Sequence, residues 1–78
     1  MLSLTPKEKA CLQWAAAGKT SYEAGAILHI SPRTVDYHIY NACLKLGVHS
    51  RQAAVVMAVE LGLFPNIRKL LPKLPAQG

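Results

Sequence analysis

Between residues 33 and 45 the chain carries side chains whose types and order point to one kind of chemistry. Arg33, Thr34, Asp36, Tyr37, Tyr40, Asn41 and Lys45 are interleaved with Val35, Ile39, Ala42, Cys43 and Leu46. The apolar set recurs at steps of three and four, the period of a helix with one buried stripe. The polar set then projects the other way, into solvent. An arginine and two tyrosines on the outside of one short helix call for a partner. A carboxylate accepts from cytosine N4, and a tyrosine meets a thymine methyl or donates to a purine acceptor. A polar helix of this kind, spanning about 32–46, suits the major groove of a duplex.

Other polar groups stand where helices begin. Lys19 and Thr20 open one helix, where backbone amides, a hydroxyl and an ammonium together hold a phosphate. Ser31 and Thr34 open the next and offer the same chemistry. Plain capping is the competing reading for Thr20 and Ser31. Lys45 is a further phosphate candidate, or else a solvated lysine before a glycine stop. Arg51 stands at a helix start, where its charge opposes the helix dipole. That position implies a partner, either a phosphate or a nearby acid.

Four helices must position these groups. Thr5-Pro6 with Glu8 three residues after Thr5 is a helix start of the capping-box type, and Gly18 is a left-handed stop. Thr20 or Ser21 caps a short second helix with Glu23 in its first turn; Ala24, Ile27 and Leu28 form its expected buried stripe. The link His29-Ile30-Ser31 is so short that the third helix starts at once and crosses the second steeply. Ser31-Pro32 starts that third helix and Gly47 stops it. Ser50 caps a fourth, running to about Leu61, before Gly62.

The fourth helix is apolar nearly all round, since Glu60 is the one polar residue between Gln52 and Leu61. A helix of that kind is covered on more than one side. One face is expected to be core and the other a contact with a second subunit, with Ala54, Met57, Ala58 and Leu61 assigned to the contact. Val55, Val56 and Val59 lie on the other sides. The competing reading is a helix tucked under the tail. From residue 65 the composition shifts to three prolines and three basic residues without an acid, which reads as a basic tail over 65–78. Asn66 to Leu71 has room for one or two helical turns.

Bulk properties limit the possibilities. The 78 residues suffice for one domain with a modest core. Half the residues are apolar, aromatics are few and Ala and Leu abound, so the expected class is all-α. Net charge is +5, yet three of the nine basic residues sit in the tail, leaving six basic and four acidic residues up to position 64. Charge alone therefore does not establish a polyanionic partner. Cys11 and Cys43 read as free thiols packed as small hydrophobes in a reducing cytoplasm. No signal peptide is visible, and the longest apolar run, Ala53 to Val59, is far short of a membrane span. The histidines and cysteines never fall at metal-ligand spacing, and neither a nucleophile triad nor a Gly-rich phosphate loop is present. Neither an enzyme nor a bound metal or cofactor is expected.

The residues Leu4-Thr5-Pro6-Lys7-Glu8, Leu12, Ala15, Gly18-Lys19-Thr20, Glu23, Ile27-Leu28 and Ile30-Ser31 have a familiar order. So do Thr34-Val35, His38, Asn41, Lys45-Leu46, Arg51, Ala53-Ala54 and Gly62-Leu63. Together they resemble the LuxR-type (GerE-type) helix-turn-helix domain of bacterial transcription regulators, over about residues 4–64. The resemblance implies four helices, with the second and third as the motif and the fourth as the usual dimer contact. It implies double-stranded DNA as partner, an inverted-repeat operator and binding as a homodimer. Asp36, Tyr37 and Tyr40 match positions that face base edges in such proteins. Asp36 is unusual there, and a salt bridge to Arg33 is its alternative role; packing is the alternative for both tyrosines. Arg33 is a base reader or, preferably, a phosphate clamp. His38 and Asn41 match residues near the DNA backbone, with a structural histidine as the alternative for His38. The departures are Ala10, where a second Glu is usual, and Ala24, where a branched residue is usual. Many such regulators carry a sensing domain ahead of this module; this chain is expected to hold none, and hence no small-molecule site.

Two other functions share these features. An antagonist would keep the fold and act on a larger regulator through the helix at 51–61. A polymerase sigma-type promoter-reading domain shares the motif, but Gly18-Lys19-Thr20 and the short fourth helix argue against it.

Overall fold

Every helix in the computed structural model, which describes residues 3–64, starts at a hydroxyl that accepts a backbone N–H. Helix α1 is Pro6–Ala16, α2 is Ser21–Leu28, α3 is Pro32–Leu46 and α4 is Arg51–Glu60. Thr5 Oγ1 accepts from Glu8 N at 3.1 Å, while Thr5 N donates to Glu8 Oε1 at 2.9 Å. Thr20 and Glu23 repeat this reciprocal pair at 3.1 and 2.9 Å. Ser31 Oγ accepts from Thr34 N, and Ser50 Oγ from Ala53 N. Each such cap is worth about 1 kcal/mol. Gly47, at φ 70°, ends α3 in the left-handed region, where a Cβ would be strained. The described residues form an all-α domain, and the 65–78 tail lies outside them.

Helix α3 is the centre of the packing, set against α1, α2 and α4. Cys11 and Leu12 of α1, Ala24 of α2, Val35, Ile39 and Ala42 of α3, and Ala54 and Ala58 of α4 form the buried core. Four alanines among them let the helices approach closely. Phe64 closes the core from beyond α4, after Gly62 turns the chain back with Leu63 N bonded to Ala58 O at 3.0 Å.

Three expectations need correction. Ala54 and Ala58 are fully buried in the chain's own core, so they do not belong to a surface open to a second subunit. The outward stripe of α4 is instead Gln52, Val56 and Val59, with Leu61 exposed beyond the helix end and Met57 half-buried. An all-apolar helix gives no sign of which side faces inward, and here the small residues do, because only they fit under α1 and α3. The third correction concerns Ile27, expected to be buried and found exposed. Gly25 takes its place in the core, since α2 lies so close to the following turn that only a residue without a side chain fits.

Glu8 has a second role that its cap conceals. Its carboxylate is almost wholly buried and receives Lys45 Nζ at 2.8 Å. Lys45 also donates to Ser3 O at 3.3 Å, so it ties the start of α1 to the end of α3. Burial pushes the Glu8 carboxyl upward. The bond from Lys45, the backbone bond from Thr5, the Lys45 charge and the Thr5 hydroxyl outweigh it and hold the group below its ordinary 4.5. A carboxyl depressed in the folded state adds stability that is fully present above its unfolded value and is lost as pH falls through the folded one. Urea midpoints should therefore hold steady from pH 7 to about 5 and fall at lower pH. Glu8→Gln should cost about 1–3 kcal/mol at pH 7 and flatten much of the decline below 4.5. A variant with the same acid limb as the parent would contradict the brace.

Candidate nucleic-acid interface

The helix-turn-helix is built by α2, the link from His29 to Ser31, and α3. The link is tight because α2 ends on His29 in the left-handed region, at φ 61°, and Ile30 N bonds back to Gly25 O at 2.9 Å. The chain then enters Ser31, the N-cap of α3, without a free residue. The sequence expectation passed over Gly25 at this point. A Cβ there would lie 2.5 Å from Ile30 O and 3.3 Å from Pro32 N, both backbone atoms. An isolated glycine inside a helical pattern was the available signal.

With Val35, Ile39 and Ala42 held in the core, helical geometry turns the rest of α3 outward. Tyr37 and Tyr40 are 61% and 62% exposed, and Arg33, Asp36 and Leu44 are exposed beside them. The tyrosines do not pack on the protein core; Tyr37 meets the His38 ring edge-on at 5.7 Å between centroids. Thr34, His38 and Asn41 are half-buried on the flanks. Tyr22 of α2 is another exposed aromatic, which sequence reasoning did not single out.

Asp36 has partners other than the expected Arg33. Ser21 Oγ donates to its Oδ1, and Arg51 Nη1 lies 3.7 Å from the same oxygen. Arg51 also donates to Ser21 Oγ at 3.0 Å and to Lys19 O at 3.4 Å. One guanidinium thus links the start of α4 to the start of α2 and the outer side of α3. Both charged ends are partly solvated, so the ion pair itself is worth about 1 kcal/mol or less. Its effect is positional: the acid answers the Arg51 position, and Arg51 is turned toward the protein.

The predicted phosphate groups separate into two sets. Thr20, Ser31 and Thr34 lie at the N-termini of α2 and α3, with Ser31 Oγ and Thr34 Oγ1 2.8 Å apart. Thr20 and Ser31 act as caps, each hydroxyl keeping further hydrogen-bonding capacity. Lys19 precedes α2, and among the described residues Lys19 and Arg33 take part in no ion pair. Lys45 and Arg51 differ. Lys45 is paired with the buried Glu8, which corrects the expectation that it is free to meet phosphate, while Arg51 faces Asp36, the nearby acid that was one of its two expected partners. Glu23 is held below its ordinary carboxyl value by the backbone and hydroxyl of Thr20, so the α2 cap carries a full negative charge at neutral pH. Burial raises both thiols, Cys11 and Cys43, above their ordinary 9.0, which leaves them as neutral packing groups.

Among the described residues no three His, Cys, Asp or Glu side chains gather in a metal-holding group. Nor is any described helix long and apolar enough to cross a membrane.

Comparison with known proteins places this geometry. Residues 2–58 match the family model described as bacterial regulatory proteins, luxR family. The transcriptional activator protein SolR of Ralstonia nicotianae is 48% identical over 61 residues, covering 78% of this chain and 26% of SolR. The quorum sensing-dependent transcriptional regulator RpaR of Rhodopseudomonas palustris is 52% identical over 60 residues, 77% of this chain and 25% of its own. The transcriptional activator protein AhyR of Aeromonas hydrophila is 42% identical over 70 residues, 88% of this chain and 27% of its own. The chain spans about a quarter of the length of these relatives.

Proposed function

The chain belongs to the LuxR family of bacterial regulatory proteins, and from that premise we propose that it binds double-stranded DNA as a transcription regulator or as the DNA-binding part of one. In this reading α3 enters the major groove with Arg33, Tyr37 and Tyr40 toward the bases. Lys19, Thr20, Ser31, Thr34, His38 and Asn41 meet the backbone on either side, and Arg33 serves as a clamp where it reaches phosphate. Asp36 and Arg51 hold α2, α3 and α4 in register. The observation that supports this best is the exposure of Tyr37 and Tyr40 on a helix whose opposite side is core. No catalytic role is assigned, and a DNA-binding role places the protein in the cytoplasm.

The homodimer is part of the same proposal, moved to the outward face of α4. Val56 and Val59 line up there with Gln52, beside a hollow of about 230 Å³ lined by Ala15, Ala16, Val55 and Val56 together with Arg51 and Gln52. A second copy packing on this stripe would pair two recognition helices for an inverted repeat. Val56→Glu should leave the fold intact, since the site is exposed, and weaken binding to a two-half-site duplex about tenfold or more, while a single half-site is bound as before. Equal loss on both duplexes would remove α4 from the interface.

The second reading is the antagonist acting through residues 51–61. It is favoured by the exposed Val56, Val59 and Leu61 and by the pairing of Lys45 and Arg51 within the chain. Gel shifts with random-sequence duplex, followed by selection from that pool, separate the two. A regulator retards DNA and enriches a palindrome; an antagonist does neither.

A further inference from the structure

The outer side of α3 is less charged than its composition suggests. Tyr37, Tyr40 and Leu44 follow one another at three and four residues, which sets them in one row along the helix. They are about equally exposed, Leu44 at 60%, and none of the described residues covers them. Asp36 is the only acid on this helix, and its carboxylate is engaged by Ser21 of α2 and Arg51 of α4. A free carboxylate there would favour cytosine; in this one Oδ1 is drawn toward α2 and α4 by the protein's own donors. What α3 offers along its length is two phenol rings and an isobutyl group. Lys19, Arg33 and the N-terminus of α3, which has no acid in its first turn, flank the row with positive potential, so the occupant is polyanionic as well as partly apolar.

Within the major groove one base presents an apolar group, thymine with its C5-methyl. We infer that the row Tyr37, Tyr40 and Leu44 reads thymine methyls, so that each half-site contains at least one T·A pair whose methyl packs on Tyr37 or Tyr40. The inference rests on the proposed DNA binding and adds the class of base to it.

The test begins with the duplex that the full chain selects from a random pool. Each thymine in turn is replaced by deoxyuridine, which pairs identically and lacks only the methyl. Affinity should fall about three- to fivefold at one or more thymines in each half-site, the effect of exposing one methyl group. With Tyr40→Ala or Tyr37→Ala the corresponding thymine and uracil duplexes should bind equally. Both side chains are exposed, so neither variant threatens the fold. A selected site that lacks thymine, or one whose thymines all tolerate uracil, overturns the thymine assignment and leaves DNA binding standing. A pool from which nothing is enriched overturns both.

Discussion

Gly25→Ala is expected to disrupt the helix-turn-helix, although alanine is the better helix former. In an isolated helix the change would stabilise by about 0.8–1.0 kcal/mol. Here the new Cβ would sit 2.5 Å from Ile30 O and within 3.4 Å of Pro32 N and Ser31 C. All three are backbone atoms of the turn, so no side chain can swing aside. Relief requires α2 to move off the turn, which breaks the bond from Ile30 N to Gly25 O and shifts Ser31 from its cap. Overpacking of this kind costs about 1–3 kcal/mol, and more where backbone must yield. A domain this small has on the order of 5 kcal/mol to lose. Urea unfolding should show a loss of about 2–4 kcal/mol, with Gly25→Val unfolded at 25 °C. An unchanged or raised midpoint would mean that α2 does not press on the turn as described.

The salt dependence of DNA binding should be steep but limited. Counterion release lowers affinity with a log–log slope of about −0.9 per phosphate neutralised. If the unpaired cations Lys19 and Arg33 each meet one phosphate in both subunits, the slope is about −4. Affinity then falls on the order of a hundredfold between 50 and 200 mM salt. Adding Lys45 and Arg51 would bring the slope to about −7 and the loss to about ten-thousandfold. Their bonds to Glu8 and Asp36 argue for the smaller value. Anisotropy titrations over that salt range decide between them, and Lys19→Ala should reduce the slope by about two in the dimer. A flat dependence would rule out the phosphate assignments.

Local chemistry was readable from the residues alone. Thr5-Pro6 with Glu8, Ser31-Pro32 and Ser50 mark helix starts because a cap depends on neighbours within three residues, and each is found where expected. The buried stripe of α3 was equally plain, since its period separates it from the polar side. Partners remote in sequence were not legible. Glu8 and Lys45 are 37 residues apart, and Arg51 pairs with an aspartate in a different helix. Lys45 therefore reads as a free cation, and for Arg51 the residues alone leave phosphate and a nearby acid open, whereas tertiary packing gives each an acid. The inward side of α4 was hidden for another reason. Apolar residues on every side leave periodicity nothing to detect, so Ala54 and Ala58 were assigned outward while the packing draws them inward. The chemical class proposed for the site is carried by Tyr37 and Tyr40, while the contacts of Asp36 to Ser21 and Arg51, on other helices, were not legible.

The solvent side of α3 is proposed to meet the duplex. Backbone amide shifts of the 78-residue chain, followed by NMR as a selected duplex is added, report on that contact residue by residue. The largest changes should fall on residues 33, 37, 40 and 44 and on the first turns of α2 and α3, with Leu12 and the rest of the core little affected. Changes confined to α4, with Tyr37 and Tyr40 unmoved, would contradict it.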